Sequence, residues 1–363
     1  MSEAGVQVYL HVPFCRAKCG YCAFYSESGA PAELRGAYLA KLATDLERAA
    51  ISAPVETLYL GGGTPTLLSE SELETLFAVL RRHLPLRPDA EISIEANPET
   101  ITAAKAAVIA EFANRVSLGV QSFDPSLRQI LGRDASDEAI ATAIELLAGR
   151  FRHFNLDLIY AIPGQTLDGF AADLARAAGA GIDHLSCYSL TPEEGTRLSS
   201  IPVDDDFSAT VYEALPELLA PFGLARYEIS NYARPGCGCR HNLRVWEGSI
   251  LYGFGPAAAG FDGKTRLQQP LTLDGWLAGE PPELDELSPA ERRREIAAMN
   301  LRTVEGWGRD RYLDLPGATT EQWRELGAIA ARFPDLLFFD GLHLKCTRKG
   351  LLFWDEIAME LLA

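Results

Sequence analysis

No apolar run in this sequence approaches the ~20 residues needed to cross a bilayer; each is soon broken by Gly, Pro or a charge. The opening stretch, MSEAGVQVYLHVPFC, lacks a basic segment followed by a long apolar core, so no secretory signal is expected. Positive charge is also in short supply. Lys and Arg number 33 against 50 Asp and Glu, a formal net charge of −17, which argues against nucleic acid as a partner. Low-complexity tracts are absent, and no repeat stands out beyond an alternation of strand and helix patterns, which excludes a mostly disordered or fibrous chain. Cysteine is sparse and odd in number, seven in 363 residues. A chain this long needs no disulfide staples. That usage favours a reducing, cytoplasmic location, with thiols kept for metal or redox work.

What is present is enough apolar sequence for a large core. Short apolar runs at Val6–Val12, Thr57–Leu60, Glu91–Ala96, Arg115–Val120, Phe154–Tyr160 and His184–Ser189 read as strands. Between them, apolar residues three and four apart predict helices over Ala32–Ala50, Glu70–Leu84, Ala103–Phe112, Ser136–Leu147 and Leu167–Ala180. Ser69 with Glu72 reads as a capping box. Strands separated by long crossovers imply a parallel sheet, either doubly wound or curved into a barrel. Cys15, Gly61, Asn97, Gln121 and Pro163 then collect at the C-terminal strand ends, where such folds bind ligands. A helix near Asp205–Leu219 and a strand near Arg226–Ile229 close this region. Beyond Asn231 the texture changes: turn formers in ARPGCGCRHN, a Gly-rich loop or hairpin in LYGFGPAAAGFDG, a loop at Pro281–Pro289, and helices at Pro289–Leu301, Thr320–Phe333 and Glu356–Leu362. Leu336–Phe339, His343–Cys346 and Leu351–Phe353 are expected to form a small antiparallel wing turning at Asp340-Gly341.

Cys15, Cys19 and Cys22 form C-x-x-x-C-x-x-C directly after the first strand. Three thiolates on one short loop suit three irons of a four-iron, four-sulfur cluster, leaving one iron open to an exchangeable ligand. The competing readings are a zinc site completed by Cys237, Cys239 or His241, since structural zinc takes four ligands, and three inert thiols. Gly61-Gly62-Gly63-Thr64-Pro65 follows the second strand. Its glycines permit close backbone approach to a ligand, or simply a tight turn. It is no phosphate loop, because Lys-Ser/Thr is missing at the required spacing.

The phrases YLHVPFCRAKCGYCAF, LYLGGGTPTLL, ISIEANPE, VSLGVQSFD, LGRD, NLDLIYAIPGQT, YEISNYARPG and CRHNLRVW occur in order, followed by ERRREIAAMNLRTVEGW. With them the chain resembles the radical S-adenosylmethionine (SAM) superfamily, in its oxygen-independent coproporphyrinogen III oxidase-like branch. The resemblance implies an α/β fold, an incomplete (β/α)6 radical-SAM barrel over residues 1–232 with a C-terminal α+β appendage over 233–363. It implies a [4Fe-4S] cluster on Cys15, Cys19 and Cys22, and SAM held by Tyr9, Gly62, Gly63, Thr64, Glu95, Gln121, Arg133 and Asp157. Each assignment has plausible chemistry, such as a planar guanidinium fork for a carboxylate at Arg133. Tyr21 and Phe24 flank the cysteines and are expected to shield the cluster.

The branch holds two roles: oxidative decarboxylation of coproporphyrinogen III, and heme binding and transfer by heme chaperones. Oxidases carry an extension ahead of the cysteine motif, whereas here Cys15 lies near the start, so the chaperone role is expected. Chaperone relatives carry H-N-x-x-Y-W; this chain keeps His241, Asn242 and Trp246, with Val245 at the tyrosine position. The resemblance implies heme on His241 and Trp246, against the plainer reading of a packed, hydrogen-bonded turn. Ala257-Ala258-Ala259-Gly260 departs from relatives that place a histidine in this loop. The implied partners are heme, a heme-accepting protein that can be membrane-associated, and an electron donor if radical chemistry operates; a homodimer is compatible with them. A tetrapyrrole oxidoreductase and a binding protein that has lost catalysis are the alternatives.

Overall fold

The computed structural model describes residues 5–315 and 317–362. β1 (Val6–Val12) runs into a short parallel pair, β2 (Phe14–Cys15) and β3 (Glu27–Ser28). Strands and helices then alternate: α1 (Ala32–Ala49), β4 (Val55–Gly62), α2 (Glu70–His83), β5 (Leu86–Ala96), α3 (Ala103–Ala110), β6 (Arg115–Gln121), α4 (Pro125–Leu131), α5 (Asp137–Leu147), β7 (His153–Tyr160), α6 (Leu167–Gly179) and β8 (His184–Ser189). The order β1-β4-β5-β6-β7-β8 follows the chain, and every pairing in it is parallel. This is the expected incomplete (β/α)6 barrel.

Period-two alternation divides each strand between two environments. Leu10, Leu58, Leu60, Ile94, Val116, Leu118, Leu156 and Leu158 point outward into the core beneath the helices. Tyr59, Ser93, Glu95, Ser117, Asn155, Asp157 and Ser186 face an interior cavity. The helices answer with apolar faces. α2 buries Leu73, Leu76, Phe77 and Leu80, each worth about 1.5–3 kcal/mol. Its N-terminus carries the expected Ser69–Glu72 capping box.

After α7 (Asp205–Leu219) come β9 (Ala225–Arg226) and β10 (Asn231–Ala233); β10 pairs antiparallel with β8, and β9 antiparallel with β10 at the sheet edge. The expected strand at Arg226–Ile229 is thus shorter and is followed by a second one. Glu228, fully buried, accepts from the backbone of Ser230 and from Asn231, and pairs with Arg302, which bends the chain away from the strand. The sheet runs on across the 232/233 position. After α8 (Arg240–Trp246), β11 (Leu251–Phe254) pairs parallel with β1 on its outer edge, and β12 (Ala259–Phe261), β13 (Thr265–Gln268) and β14 (Glu283–Glu286) follow antiparallel. The Gly-rich segment therefore supplies a barrel-edge strand, and the loop expected at Pro281–Pro289 contains a strand.

The remainder packs as helices around a small sheet: α9 (Leu273–Ala278), α10 (Pro289–Asn300), β15 (Trp307–Gly308), α11 (Arg309–Leu313), α12 (Thr320–Arg332), β16 (Leu337–Phe339), β17 (His343–Cys346), α13 (Arg348–Leu352) and α14 (Trp354–Leu362). The wing exists, with the order β15-β17-β16, and Asp340 fastens its turn by accepting from the amides of Leu342 and His343. Its third strand is Trp307–Gly308. Leu351–Phe353 is no strand, because Thr347 caps a helix there by accepting from the Gly350 amide. One apolar cluster runs from Leu10 and Leu60 through Trp307 and Trp323 to Leu361, so barrel and appendage share a core.

Candidate functional site

At the C-terminal strand ends lies a cavity of about 680 Å³. Cys15, Cys19, Cys22, Gly62, Gly63, Thr64, Glu95, Gln121, Arg133 and Asp157 all line it. The cysteine loop and the glycine strand end are built against each other. The Gly63 amide donates to Val12 O at 2.9 Å and the Thr64 amide to Phe14 O at 2.7 Å. A Cβ at Gly63 would stand 2.7 Å from Phe14 O, and one at Gly62, where φ is +107°, would stand 2.6 Å from the His11 ring. Only glycine lets the two segments lie this close.

The three thiols share the cavity mouth, with Cys15 Sγ 3.7 Å from Thr64 Oγ1 and Cys19 Sγ 3.5 Å from Arg133 Nη1. Burial pushes the Cys15 and Cys22 thiols up, and the neighbouring sulfurs add to it. The three sulfurs do not all fall within 4.8 Å of one another. Ligand sulfurs around one tetrahedral zinc sit about 3.8 Å apart. Three thiols on one loop at the cavity mouth, not drawn together as zinc ligands would be, suit a multi-iron cluster, whose charged inorganic core offsets the repulsion among three thiolates. The residues present therefore fit the [4Fe-4S] group.

Below the cysteines the wall is polar. Glu95 accepts from Tyr59 Oη at 2.9 Å and from the Gly62 amide at 3.2 Å. Burial, with Asp157 adding to it, pushes its carboxyl up to about 7. Asp157 accepts from Ser117 Oγ at 2.9 Å and Asn155 Nδ2 at 2.8 Å, and burial raises its carboxyl as well. Gln121 ends β6 with φ at +71°, beside a register shift between Gly119 and Gln121. A non-glycine residue held there is a strained strand end, and such strain concentrates at ligand sites.

A raised carboxyl makes a signed prediction. A Glu whose folded pKa lies above its unfolded value contributes stability that is fully present below the unfolded pKa and lost as pH rises through the folded one. For Glu95 that window runs from 4.5 to about 7. In thermal scans of the cofactor-free protein, Glu95→Gln should flatten the fall in stability across this range. An unchanged slope would count against the buried carboxyl.

Arg133 is committed to the scaffold. Its Nη2 donates to Gly119 O at 2.5 Å and to Asn97 Oδ1 at 3.0 Å, and Nη1 faces the Cys19 sulfur. Among the described residues no carboxylate lies in ion-pair contact with it, and its buried Nε has no hydrogen-bond partner. Tyr21 and Phe24, expected to shield the cluster, both line the cavity, Phe24 at its mouth with 70% of its surface exposed. Tyr9 lies one layer away. Its phenol meets His11 Nδ1 at 3.1 Å and its ring stacks on Tyr59.

His241 and Trp246 lie outside the cavity lining, on α8, which closes the opposite end of the barrel. His241 is buried, with Nδ1 2.7 Å from Thr57 Oγ1 and its amide donating to Glu91 Oε1 at 3.0 Å. Burial lowers its pKa to about 4, leaving a neutral imidazole at ordinary pH. Trp246 is buried under the Arg302 guanidinium, 4.4 Å from the ring centroid. Asn242 and Cys239, their neighbours, do reach the cavity floor.

Sequence reasoning placed Asn97 at a strand end without giving it a role; its amide joins Thr64 Oγ1 at 2.8 Å to Arg133, which faces Cys19, and so ties the glycine strand end to the cysteine loop. Sequence reasoning passed over Tyr59, Ser117, Asn155 and Ser186. All sit at inward positions of their strands, Tyr59 two residues from Gly61 and Asn155 two from Asp157, and period two was the signal that could have found them.

The radical SAM superfamily model matches residues 9–177. The heme chaperone HemW of Mycobacterium tuberculosis (strain CDC 1551 / Oshkosh) is 39% identical, covering 98% of this chain and 94% of its own. The heme chaperone HemW of Escherichia coli (strain K12) is 38% identical over 70% of each chain. Among solved structures, the coproporphyrinogen III oxidase HemN of Escherichia coli, a radical SAM enzyme, superposes with a TM-score of 0.84 at 23% identity, over 99% of this chain and 91% of that one, which establishes the shared fold. With the cysteine triangle, the glycine cradle and these likenesses together, the chain belongs to the HemW family of the radical SAM superfamily.

Proposed function

We propose that this protein is a heme chaperone on a radical-SAM core, which binds heme and passes it to an acceptor protein. The observation that carries the reading is the likeness over nearly the whole chain to relatives named heme chaperone HemW. Cys15, Cys19 and Cys22 would hold three irons of the [4Fe-4S] cluster, with Arg133 steadying Cys19 and Asn97 bracing Thr64. Bound together, the cluster and SAM supply one-electron reductive cleavage of a sulfonium carbon–sulfur bond, for which an electron donor is needed. The backbone of Gly62, Gly63 and Thr64 would meet the methionine end of SAM. Glu95, Gln121 and Asp157 offer acceptors to its ammonium and ribose hydroxyls, and Tyr9 backs the site through His11 and Tyr59. Residues 233–363 are the heme-handling part of this reading.

His241 is the heme ligand in this proposal, and Trp246 the stacking ring. Thr57 fixes Nδ1 and so presents Nε2 as the ligating nitrogen of a neutral imidazole. Because His241 is only 5% exposed, ligation requires α8 to withdraw from the barrel floor. Anaerobically reconstituted protein should take up stoichiometric heme, and His241→Ala should lose it while keeping its iron–sulfur content. Equal heme uptake by the two proteins would remove His241 from the site, and no uptake by either would remove the chaperone reading. The alternative, a radical-SAM oxidoreductase of coproporphyrinogen III oxidase type, requires 5′-deoxyadenosine to accumulate with reductant and a porphyrinogen substrate; the chaperone reading predicts heme transfer to an acceptor without it. The acceptor is a protein of its own, and a homodimer is the assembly we assign to the chaperone. Among the described residues no helix is long and apolar enough to cross a membrane, so a membrane-associated acceptor would be met from outside the bilayer. Cytoplasmic residence fits the reduced cysteines this function needs.

A further inference from the structure

At the end of the barrel opposite the cysteine triangle, three ligand-bearing side chains from separate segments meet. His153 opens β7, Asp183 lies one residue before β8, and Cys237 sits in the loop leading to α8. Their ligand atoms all lie within 4.8 Å of one another, the one such set of His, Cys, Asp or Glu among the described residues. We propose that His153, Asp183 and Cys237 form a binding site for a zinc-class divalent cation, with a fourth position open to water.

The donor set selects the ion. One imidazole nitrogen, one carboxylate oxygen and one thiolate sulfur form a mixed set that suits borderline cations such as Zn2+ and disfavours Mg2+ or Ca2+, which take oxygen. Binding releases the Cys237 thiol proton to solvent as sulfur takes its place on the ion. His153 and Asp183 are held together as a hydrogen-bonded pair, with Nδ1 2.6 Å from Oδ2; the ion takes the place of the proton between them, which the neutral imidazole then carries on Nε2. Asp183 has its other oxygen held by the Phe154 amide at 3.0 Å, the kind of outer contact that fixes a ligating carboxylate. The three are neither sealed in nor loose. The His153 and Asp183 side chains are 13% and 18% exposed, which leaves an entry path and room for water.

The loop carrying Cys237 is shaped to deliver it. The Arg234 amide donates to Asp183 O at 2.9 Å, and the Cys237 amide returns to Arg234 O at 3.0 Å, closing a turn around Gly236, where φ is +77°. Arg115 Nη2 donates to Cys237 O at 2.8 Å and Gly238 O at 3.2 Å. The same guanidinium pairs with Glu91, which accepts the His241 amide. A cation on Cys237 therefore clips the start of the α8 segment to the barrel strands, and its occupancy bears on how firmly α8 stays seated. The site stands on its own residues and does not depend on the heme reading.

The test uses full-length protein with its iron–sulfur cluster already reconstituted, so that Cys15, Cys19 and Cys22 are occupied. Titration with Co2+ should add one equivalent per chain with a thiolate-to-cobalt charge-transfer absorption that Zn2+ displaces. Cys237→Ser, a loop change that leaves the core untouched, should lose this absorption. His153→Ala should weaken cobalt binding by about tenfold or more. Zn2+ should raise the melting temperature of the parent and not of Cys237→Ser. No added cobalt, added cobalt without the thiolate absorption, or the same absorption in Cys237→Ser would each overturn the site.

Discussion

Cys19→Ala should leave the protein unable to assemble a [4Fe-4S] cluster. After anaerobic reconstitution the parent should hold about four irons per chain and the variant fewer than about one. The size of the effect follows from the donor set. Cys15, Cys19 and Cys22 are the thiols that line the cavity near its mouth, and buried Cys187 and Cys346 belong to the apolar core. With two thiols left, two irons have no protein ligand. Arg133 Nη1 also loses the sulfur it faces, leaving a buried cation without its anionic partner. Iron and sulfide analysis, with the spectrum of the reduced protein, reads the outcome. Cys237→Ser is the control and should keep its full iron content. A Cys19→Ala variant holding the parental iron would end the cluster assignment.

Glu91→Ala should destabilise the fold by about 3–5 kcal/mol, the largest loss expected from one change remote from the cysteines. Glu91 and Arg115 pair at 3.1 Å with side chains 5% and 3% exposed, at the floor of the barrel. Burial pushes the Glu91 carboxyl up, but Arg115 and the backbone amides of His241 and Arg240 more than offset this and hold it below its ordinary value. A depressed carboxyl contributes stability above its unfolded pKa, and that share is lost as pH falls through the folded value. Removing Glu91 strands a buried guanidinium and frees the His241 amide. Denaturant unfolding measures the loss. The double change Glu91→Leu with Arg115→Met should recover much of it, because apolar replacement removes both desolvation costs. Additive losses would mean that the two residues act separately.

The barrel was legible because its physics is local. Strands buried on one side by helices read as short apolar runs, and α2 announced itself through Leu73, Leu76, Phe77 and Leu80 behind a capping box. α4 escaped notice because seven residues carry little periodicity; Asp124, which caps it, and Gly132, which ends it at φ +71°, were the available signals. Of the loop or hairpin read in the Gly-rich segment, the hairpin exists as β11 and β12, whereas the parallel pairing of β11 with β1 was not legible. Its close neighbours come from both sides: a Cβ at Gly253 would meet Ala259 O at 2.1 Å across the hairpin, and one at Gly255 would meet His11 O, more than 240 residues away in sequence, at 2.3 Å. The glycines are spacing for neighbours that no local pattern reveals. Leu351–Phe353 shows the usual ambiguity of a short apolar run, decided by the Thr347 cap.

The site divides in the same way. Cysteine spacing and the triple glycine are chemical signatures, and the structure sets both on one cavity. Arg133 was legible as a site residue but not in its bonds, since its partners Gly119, Asn97 and Cys19 come together only through the barrel. The seating of His241 behind Thr57 was likewise invisible, because that contact spans 184 positions.

The pairing of β11 with β1 also bears on how the chain is made. During synthesis the first strand emerges with its far flank bare, and the segment that will cover it, Leu251–Phe254, leaves the ribosome only after the whole α/β alternation has been translated. Until then the nascent protein carries an open sheet margin, the feature most prone to wrong pairing with other chains. Closure of that margin late in folding, across a long sequence separation, makes maturation slow. A ribosome-stalled chain ending before residue 250 should be captured by cellular holdases, and one extended well past residue 261 should be released.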